Sequence, residues 1–442
     1  MVKNTVSCCP HCLKILPAEK ITEGNDVFLV RECPEHGKIK TLISRDAKRF
    51  FDKTFTSSGK AVYERQTKSF KGCPDDCGWC DKHKQHLCTA LIEITGKCNL
   101  KCPVCYYGDK NTGDISFEEF KKRLDVIMRT ENDSLDVLQI SGGEPTLHTN
   151  FVSFLEHAAS RNINRVLINT NGLALLGESD NCNKIRDLKD KVEIYLQFDG
   201  FDTTAEIELR GASLLEKKLT LINKLNNDGI KMCLAVTVTR GNLGEIGRIL
   251  ELAIETKNIT GITFQRLTGT GWAKGLKQKP LLQEDILVAM DKTGYLKYNH
   301  IVPLPCSHEN CTSISFLFVD GKKSYSLAKY IDFAKHQGAI KDKIGFDSGA
   351  LKYLKEQITC NSGGCCSQIV DNLTPLKKLK EFTDGNSSNN GDMKMIRIIV
   401  KNFMDAHTFD TERAEKCCVG VSTGKGKIIP FCVNNVFNKR AE

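Results

Sequence analysis

The sequence predicts an α/β protein built around a partial (β/α)6 barrel of the TIM type, with a cysteine-rich ribbon before the barrel and a cysteine-rich domain after it. Three observations lead to this prediction. Apolar, strand-like runs alternate with helix-like stretches between residues 91 and 265. Each run ends in glycine or polar residues, and most of the 21 cysteines fall into short groups. Alternating strands and helices favour a parallel sheet with right-handed crossovers.

The strand-like runs of the predicted barrel cover residues 91–95, 137–141, 166–170, 192–198, 232–238 and 262–265. A capping box opens the first helix, because Ser116 is followed by Glu119 and then by apolar residues at helical spacing. In barrels of this kind the chemistry lies at the carboxyl ends of the strands. The segments that follow the strands are therefore the candidate binding segments.

Cysteine spacing and the end of the β/α pattern divide the chain into four parts. We expect a rubredoxin- or zinc-ribbon-like knuckle over residues 1–60, a cysteine-rich segment over 61–90, the barrel over 91–280 and a C-terminal domain over 281–442. Within the last part, segment 393–407 mixes basic and apolar residues. Such a segment either packs as a helix or strand on this domain or rests on an anionic membrane surface.

Composition restricts the location and the partners. Lys and Arg number 63 and Asp and Glu 54, so the net charge is +9, which does not indicate a nucleic-acid partner. No basic patch with interleaved aromatic residues points to one either. There is no apolar run of transmembrane length and no secretory signal, so we expect a cytoplasmic protein without a transmembrane segment. In that reducing compartment, grouped cysteines typically act as metal ligands.

The first cysteine group predicts a metal-binding knuckle. Cys9, Cys12 and Cys33 are the expected ligands, and either Cys8 or His36 is the fourth. Two short loops that each offer ligands suit one tetrahedral ion. Zinc and a rubredoxin-like iron are both open as the metal.

Two further groups offer four thiolates each, enough for one [4Fe–4S] cluster or one zinc. The first of them consists of Cys73, Cys77, Cys80 and Cys88. The second lies in the C-terminal domain and consists of Cys306, Cys311, either Cys417 or Cys418, and Cys432. No role is assigned to Cys360, Cys365 and Cys366.

The loop after the first barrel strand carries three cysteines and no fourth ligand. Cys98, Cys102 and Cys105 are spaced C-x3-C-x2-C. Three thiolates hold three irons of a cube and leave the fourth iron open to chelate a substrate or cofactor, as an open zinc position does. One β/α unit later, the second strand is followed by Gly142, Gly143, Glu144 and Pro145. The later strand ends supply candidate ribose or carboxylate contacts, or ordinary rim residues, at Asn171, Gln197, Asp199 and Arg240.

The cysteine loop and the GGEP segment together resemble the radical S-adenosylmethionine (SAM) superfamily. The resemblance implies that the open iron chelates SAM and that Glu144 contacts the SAM amino group. It also implies that one electron, from a small-molecule reductant, ferredoxin or flavodoxin, cleaves SAM to methionine and a 5′-deoxyadenosyl radical. The chain departs from the superfamily at Val104, where the residue before the third cysteine is often aromatic.

Over nearly the whole chain, the motif order is similar to that of the tetraether lipid synthase family, whose relatives were once assigned as pterin methyltransferases. The motifs are CPHC…CPEHG, CPDDCGWC, EIYLQFDG, ITFQRLTGTGW, PLPCSHENC and KCCVG. The resemblance implies SAM, three [4Fe–4S] clusters and one mononuclear iron or zinc. It also implies a membrane-lipid substrate and a reaction that joins two isoprenoid tails, of one lipid or of two, through a C–C bond. The chain is short for that family, and its TCNSGGCCS stretch has no assignment.

The sequence therefore favours a radical SAM enzyme of tetraether lipid synthesis, working in the cytoplasm or on the membrane surface. We expect an apolar channel that ends near the cysteine loop and extends for tens of ångströms. The alternative is a radical SAM methyltransferase or modifying enzyme acting on a pterin, peptide or nucleotide. A non-enzymatic zinc-ribbon module is disfavoured, because the GGEP-bearing barrel has no role in it.

Overall fold

The computed structural model describes residues 1–56, 60–108, 113–276, 281–340 and 393–437. Within these ranges the strands form one four-stranded and one 12-stranded sheet. Three cysteines without an assigned role, Cys360, Cys365 and Cys366, lie outside the described residues.

The small sheet is antiparallel and keeps the order of the sequence. Its strands are β1 (Val2–Cys8), β2 (Ile15–Glu23), β3 (Asp26–Cys33) and β4 (Gly37–Ser44), and a short helix, α1 (Ala47–Phe51), follows them. Because Ala18 of β2 pairs with Arg31 of β3, the end of β3 lies beside the turn that joins β1 to β2. This register brings the turn at Cys9 and Cys12 next to Cys33.

The large sheet contains the predicted barrel, with strands and helices alternating along the chain. The elements are β5 (Thr89–Thr95), α2 (Phe117–Thr130), β6 (Leu135–Gly142), α3 (Phe151–Ser160), β7 (Ile163–Thr170), α4 (Asp180–Asp187), β8 (Val192–Gln197), α5 (Thr203–Arg210), α6 (Leu215–Asn227), β9 (Met232–Val238), α7 (Ile246–Glu255) and β10 (Ile259–Arg266). Neighbouring strands from β5 to β10 are parallel. The predicted α/β architecture is confirmed.

Helix α2 begins where the capping box predicts it. The Ser116 hydroxyl accepts a hydrogen bond from the backbone N–H of Glu119 at 3.1 Å. A cap of this kind stabilises a helix by about 1 kcal/mol. Phe120, Leu124 and Ile127 form the buried face of the helix, which packs in the main hydrophobic core.

The C-terminal part of the chain extends the barrel sheet at both ends. Its elements are α8 (Gln283–Lys292), β11 (Val302–Pro303), β12 (Thr312–Asp320), β13 (Lys323–Ser326), β14 (Met393–Lys401), α9 (Thr411–Glu415), β15 (Val419–Ser422), β16 (Ile428–Pro430) and α10 (Phe431–Phe437). Strand β14 is parallel to β10, and β15 is parallel to β5. No described helix has the length and apolar character needed to cross a membrane.

Strand β14 agrees with one of the two expectations for segment 393–407, a strand packed on the C-terminal part of the chain. The first nine residues form this strand, which pairs with β12 and also with the barrel strand β10. Ile396, Ile398 and Val400 are fully buried, so the apolar residues serve the sheet. Arg397, on the opposite face of the strand, lines a cavity inside the barrel.

Candidate functional site

A cavity of about 230 Å³ lies at the carboxyl ends of the barrel strands, bordered by the cysteine loop. The thiols of Cys98, Cys102 and Cys105 all line it, and no other cysteine and no histidine among the described residues does. Three thiols on one cavity fit a cube with an open iron. Burial raises the pKa of the Cys98 thiol to about 11, so this thiol keeps its proton until a metal displaces it.

The GGEP backbone fixes the start of the cysteine loop. The N–H of Gly143 donates to the Thr95 carbonyl at 2.8 Å, and the N–H of Glu144 donates to the Lys97 carbonyl at 2.7 Å. A Cβ on Gly143 would overlap the Lys97 carbonyl oxygen, so only glycine permits this approach. Gly142 and Gly143 both line the cavity.

Glu144, the expected contact of the SAM amino group, is held by hydrogen bonds within the protein. Its buried carboxylate accepts hydrogen bonds from the Thr170 hydroxyl at 2.6 Å and from the Asn171 N–H at 2.8 Å. It also accepts from the Thr146 N–H, which caps the short turn that Pro145 begins. Neither Glu144 nor Pro145 lines the cavity. The carboxylate instead ties the end of β6 to the end of β7.

A second backbone contact holds the third cysteine. The N–H of Trp272 donates to the Cys105 carbonyl at 2.9 Å. Gly271 has a φ of +56°, and a Cβ there would overlap that same carbonyl oxygen. The GTGW segment, residues 269–272, therefore fixes the position of the cysteine loop at Cys105. In the sequence, this segment stands out only as part of a longer motif.

Asp199 acts through Arg210, a residue that sequence reasoning missed. The Arg210 guanidinium makes a bidentate pair with the Asp199 carboxylate, at 2.6 and 2.9 Å. The guanidinium also contacts the thiol of Cys102. Burial raises the pKa of that thiol, and the positive charge of Arg210 lowers it in part. Arg210 lines the cavity, whereas the buried Asp199 does not. A lone arginine at a helix end gives no sequence signal for this contact.

Asn171 and Gln197 line the cavity. Lys218 of α6, also missed, joins them: its ammonium donates to the Asn171 carbonyl and, at 2.8 Å, to the Gln197 side-chain oxygen. Burial lowers the pKa of Lys218 to about 8. This lysine therefore ties the ends of β7 and β8 together under the cavity.

Arg240 is not among the residues that line this cavity. The Asn242 side chain donates to the carbonyls of Asp199 and Thr237, both at 2.9 Å, and so holds the turn after β9. Arg240 pairs with Asp285 of α8 at 3.0 Å, in a separate surface groove.

The N-terminal turns bring together a four-ligand set of Cys9, Cys12, Cys33 and His36. Their ligand atoms all lie within 4.8 Å of one another. The sulfurs of Cys12 and Cys33 are 3.8 Å apart, close to the ~3.8 Å expected for two sulfurs bound at ~2.3 Å to one tetrahedral metal. Cys8 is not in the set, because its thiol packs against the Ala406 carbonyl at 3.5 Å. His36 is therefore the fourth candidate ligand.

The auxiliary cysteines group differently from the spacing-based expectation. The sulfurs of Cys88, Cys306 and Cys418 lie within 4.8 Å of one another and are buried. The pairing of β5 with β15 brings Cys88 to Cys418, since the Cys88 N–H donates to the Cys418 carbonyl at 2.9 Å. Cys73, Cys77 and Cys80 are not in this close set.

The remaining auxiliary cysteines lie near one another. The thiols of Cys73 and Cys77 are in hydrogen-bond contact, and both residues pack against the apolar cluster that contains Cys432. Cys311 accepts a hydrogen bond from Arg413 at 3.3 Å and interacts electrostatically with Cys417 and Cys432. Of the two alternatives Cys417 and Cys418, only Cys418 lies in the close set with Cys88 and Cys306.

A buried histidine supports the Cys88 group. Nε2 of His86 lies 3.3 Å from the Cys88 sulfur, and Nδ1 lies 2.9 Å from the Glu131 carboxylate. Glu131 also accepts the backbone N–H of Leu87 at 2.8 Å. Carboxylates that orient a histidine in this way are common beside metal ligands.

Two family models match parts of the chain. Residues 1–45 match the HMPTM N-terminal zinc ribbon domain, which contains the Cys9, Cys12, Cys33 and His36 set. Residues 92–253 match the radical SAM superfamily, and this span holds the cysteine loop and the GGEP segment.

Several known proteins are similar to the chain. A 7,8-dihydro-6-hydroxymethylpterin dimethyltransferase of Methanocaldococcus jannaschii is 29% identical over 489 residues, covering 100% of this chain and 94% of that protein. The mycofactocin maturase MftC of Mycolicibacterium smegmatis is 26% identical, covering 40% of this chain and 45% of that protein. The crystal structure of Streptococcus suis SuiB bound to precursor peptide SuiA has a TM-score of 0.42 and 20% identity, covering 48% and 47%.

Proposed function

We propose that this chain, a radical SAM enzyme by its central domain, methylates a small polar heterocycle of the pterin class. A relative that aligns along the whole chain, at 29% identity, is named a pterin dimethyltransferase. This proposal takes the place of lipid-tail coupling as the first candidate. The iron–sulfur and zinc groups that it requires are matched by the cysteine loop and by the ribbon set.

The observation that carries the proposal is the space inside the barrel. We call the cavity of about 230 Å³ at the cysteine loop the cofactor cavity. A second cavity, of about 110 Å³, adjoins it and shares Tyr106, Asn169, Tyr195 and Gln265 with it. A cavity of about 150 Å³ is enough to bind benzene, so a bicyclic ring would also need part of the adjoining cavity at the cysteine loop. In the described part of the chain, the space under the loop is thus compact and partly polar, in contrast to the expected apolar channel.

Bound SAM would supply a 5′-deoxyadenosyl radical. Each methylation would replace one substrate C–H hydrogen by one methyl group, which a second SAM would provide. Two electrons per methylation would come from a ferredoxin, a flavodoxin or a small reductant. The protein's own part is orientation. Arg210 holds Cys102, and Lys218 fixes the strand ends that carry Asn171 and Gln197. The barrel walls keep the substrate and the cofactor cavity adjacent.

Coupling of two isoprenoid tails is the second candidate function. The buried Cys88, Cys306 and Cys418 group favours it, together with the separate thiols of Cys311 and Cys432. Auxiliary clusters at these thiols exceed what a single hydrogen abstraction needs. A coupling reaction has a use for one, since the first carbon radical must be stored while a second SAM is consumed.

Product mass separates the two functions. The reconstituted protein is incubated without oxygen with SAM, reductant and either 6-hydroxymethyl-dihydropterin or archaeal diether lipids. We expect a pterin product heavier by one methylene unit for each methyl group added, and no change in the lipids. A lipid product lighter by two hydrogens, with the pterin unchanged, would replace this proposal by tail coupling.

A further inference from the structure

The cavity inside the barrel has a cationic wall. Arg397 and Lys401 of β14 both line it, and none of the described residues around it is acidic. The register places Arg397 level with Gly261, and Lys401 level with Gln265 at the rim. At ~3.3 Å per residue along a strand, the backbone of Arg397 lies about 13 Å below that of Lys401. Arg397 therefore stands at the floor of the cavity.

The buried guanidinium of Arg397 has at least one N–H donor without a partner among the described residues. The residue is 6% exposed, and its Nε has no partner in the described structure. Its Nη2 lies 3.7 Å from the Glu193 carboxylate, and the Cys233 thiol is a further contact. A guanidinium carries five N–H donors, and buried donors without partners are rare in folded proteins. The free donors are thus available to a ligand in the cavity.

Arg397 has no carboxylate within hydrogen-bond distance among the described residues. Its nearest carboxylate, that of Glu193, lies 3.7 Å away and also pairs with Arg165 at 2.8 Å. Arg165 is 37% exposed, so solvent screens its charge, whereas the guanidinium of Arg397 is buried. Little water screens charges in such a cavity, so a guanidinium without a close carboxylate favours an anionic group.

The cavity also has an aromatic wall. Phe403 and Phe431, with ring centroids 4.8 Å apart, both line it, as does Tyr106, whose ring lies 5.5 Å from that of Phe431. Aromatic side chains of this kind offer faces and edges to a flat ring.

We propose that Arg397 receives an anionic group, a phosphate or a carboxylate, of a substrate whose flat ring packs on the Tyr106, Phe403 and Phe431 wall. The identity of the ring as a pterin rests on the proposed function. The anionic group is inferred from the charge of Arg397. Together they define a substrate class: a pterin that carries an anionic substituent.

Calorimetric titration of the anaerobically reconstituted protein tests the inference with three probes: 6-hydroxymethylpterin, its phosphate ester and pterin-6-carboxylate. The wild type should bind one anionic probe at least about 10-fold more tightly than the neutral one, as expected for charge-assisted hydrogen bonds. The preferred probe tells phosphate from carboxylate. The preference should disappear in Arg397→Gln and be partly kept in Arg397→Lys, which retains the charge.

Arg165→Gln is the matched control, because it removes the other guanidinium group at Glu193, and Arg165 does not line the cavity. It should keep the full anion preference. The inference is overturned if the wild type binds all three probes equally, if the preference survives in Arg397→Gln, or if Arg165→Gln abolishes it too. Far-ultraviolet circular dichroism checks that each variant is folded.

Inorganic phosphate tests the anion site without any pterin. Added phosphate should raise the melting temperature of the wild type and of Arg165→Gln, but not that of Arg397→Gln. If this pattern holds and no pterin binds, the proposed function fails and the anion site stands. If pterins are methylated and no anion effect depends on Arg397, the proposed function stands and this inference fails.

Discussion

Replacing Cys98, Cys102 and Cys105 together with alanine is expected to abolish formation of 5′-deoxyadenosine from SAM. These are the cysteines that line the cofactor cavity, so no thiolate would be left to hold the irons. The iron content should fall by about four atoms per chain, the content of one cube. Chromatography of anaerobic reactions with SAM and dithionite measures the nucleoside, and metal analysis measures the iron.

Cys182→Ala is the control for the triple variant. This cysteine is buried in α4, where its thiol contacts the Leu175 carbonyl, and it belongs to no cysteine group. The control should cleave SAM and hold iron as the wild type does. Cleavage at the wild-type rate in the triple variant would show that the radical is not generated at this loop.

Gly143→Ala is expected to lower 5′-deoxyadenosine formation by about 100-fold, the effect of displacing a reacting group by ~1 Å. The new Cβ would overlap the Lys97 carbonyl oxygen and press on that of Gly96, at 2.9 Å. Both are backbone atoms directly before Cys98, so the cluster loop must move. The rate is measured by the same nucleoside assay, on protein whose iron content is known.

Gly177→Ala provides the matched change, since a Cβ at that position meets no atom within 4 Å. It should leave the rate and the iron content unchanged. A Gly143→Ala variant with the wild-type rate would mean that the close approach of the GGEP backbone does not set the loop position.

Local patterns predicted the barrel well. Each predicted strand from 91–95 to 262–265 overlaps a barrel strand. Buried parallel strands consist of short apolar runs, which are visible in the sequence. The cap at Ser116 forms as its spacing indicates. These features depend on neighbours a few residues apart, which is why the sequence alone reveals them.

Contacts over long distances along the chain could not be read in the same way. Nothing in the 393–401 run shows that it pairs with β10, more than a hundred residues earlier. Cys88 fits equally well with its close neighbours in sequence, and only the β5–β15 pairing assigns it to Cys306 and Cys418.

The site shows the same division between local and distant signals. The cysteine loop and its glycines were recognised by spacing. The positions of Glu144 and Arg240 were not, because Thr170 and Asp285, which engage them, lie far along the chain. Arg210 and Arg397 carry no motif, and their roles appear only when the strands bring them to a cavity.

The central claim is that the radical formed at the cysteine loop attacks a pterin held inside the barrel. Deuterium transfer tests it most directly. The enzyme is incubated with SAM, reductant and 6-hydroxymethyl-dihydropterin deuterated on carbon, and the 5′-deoxyadenosine is examined by mass spectrometry. The account predicts 5′-deoxyadenosine that carries deuterium from the pterin. Unlabelled 5′-deoxyadenosine from this reaction, together with labelled 5′-deoxyadenosine from a parallel reaction with deuterated diether lipid, would contradict it.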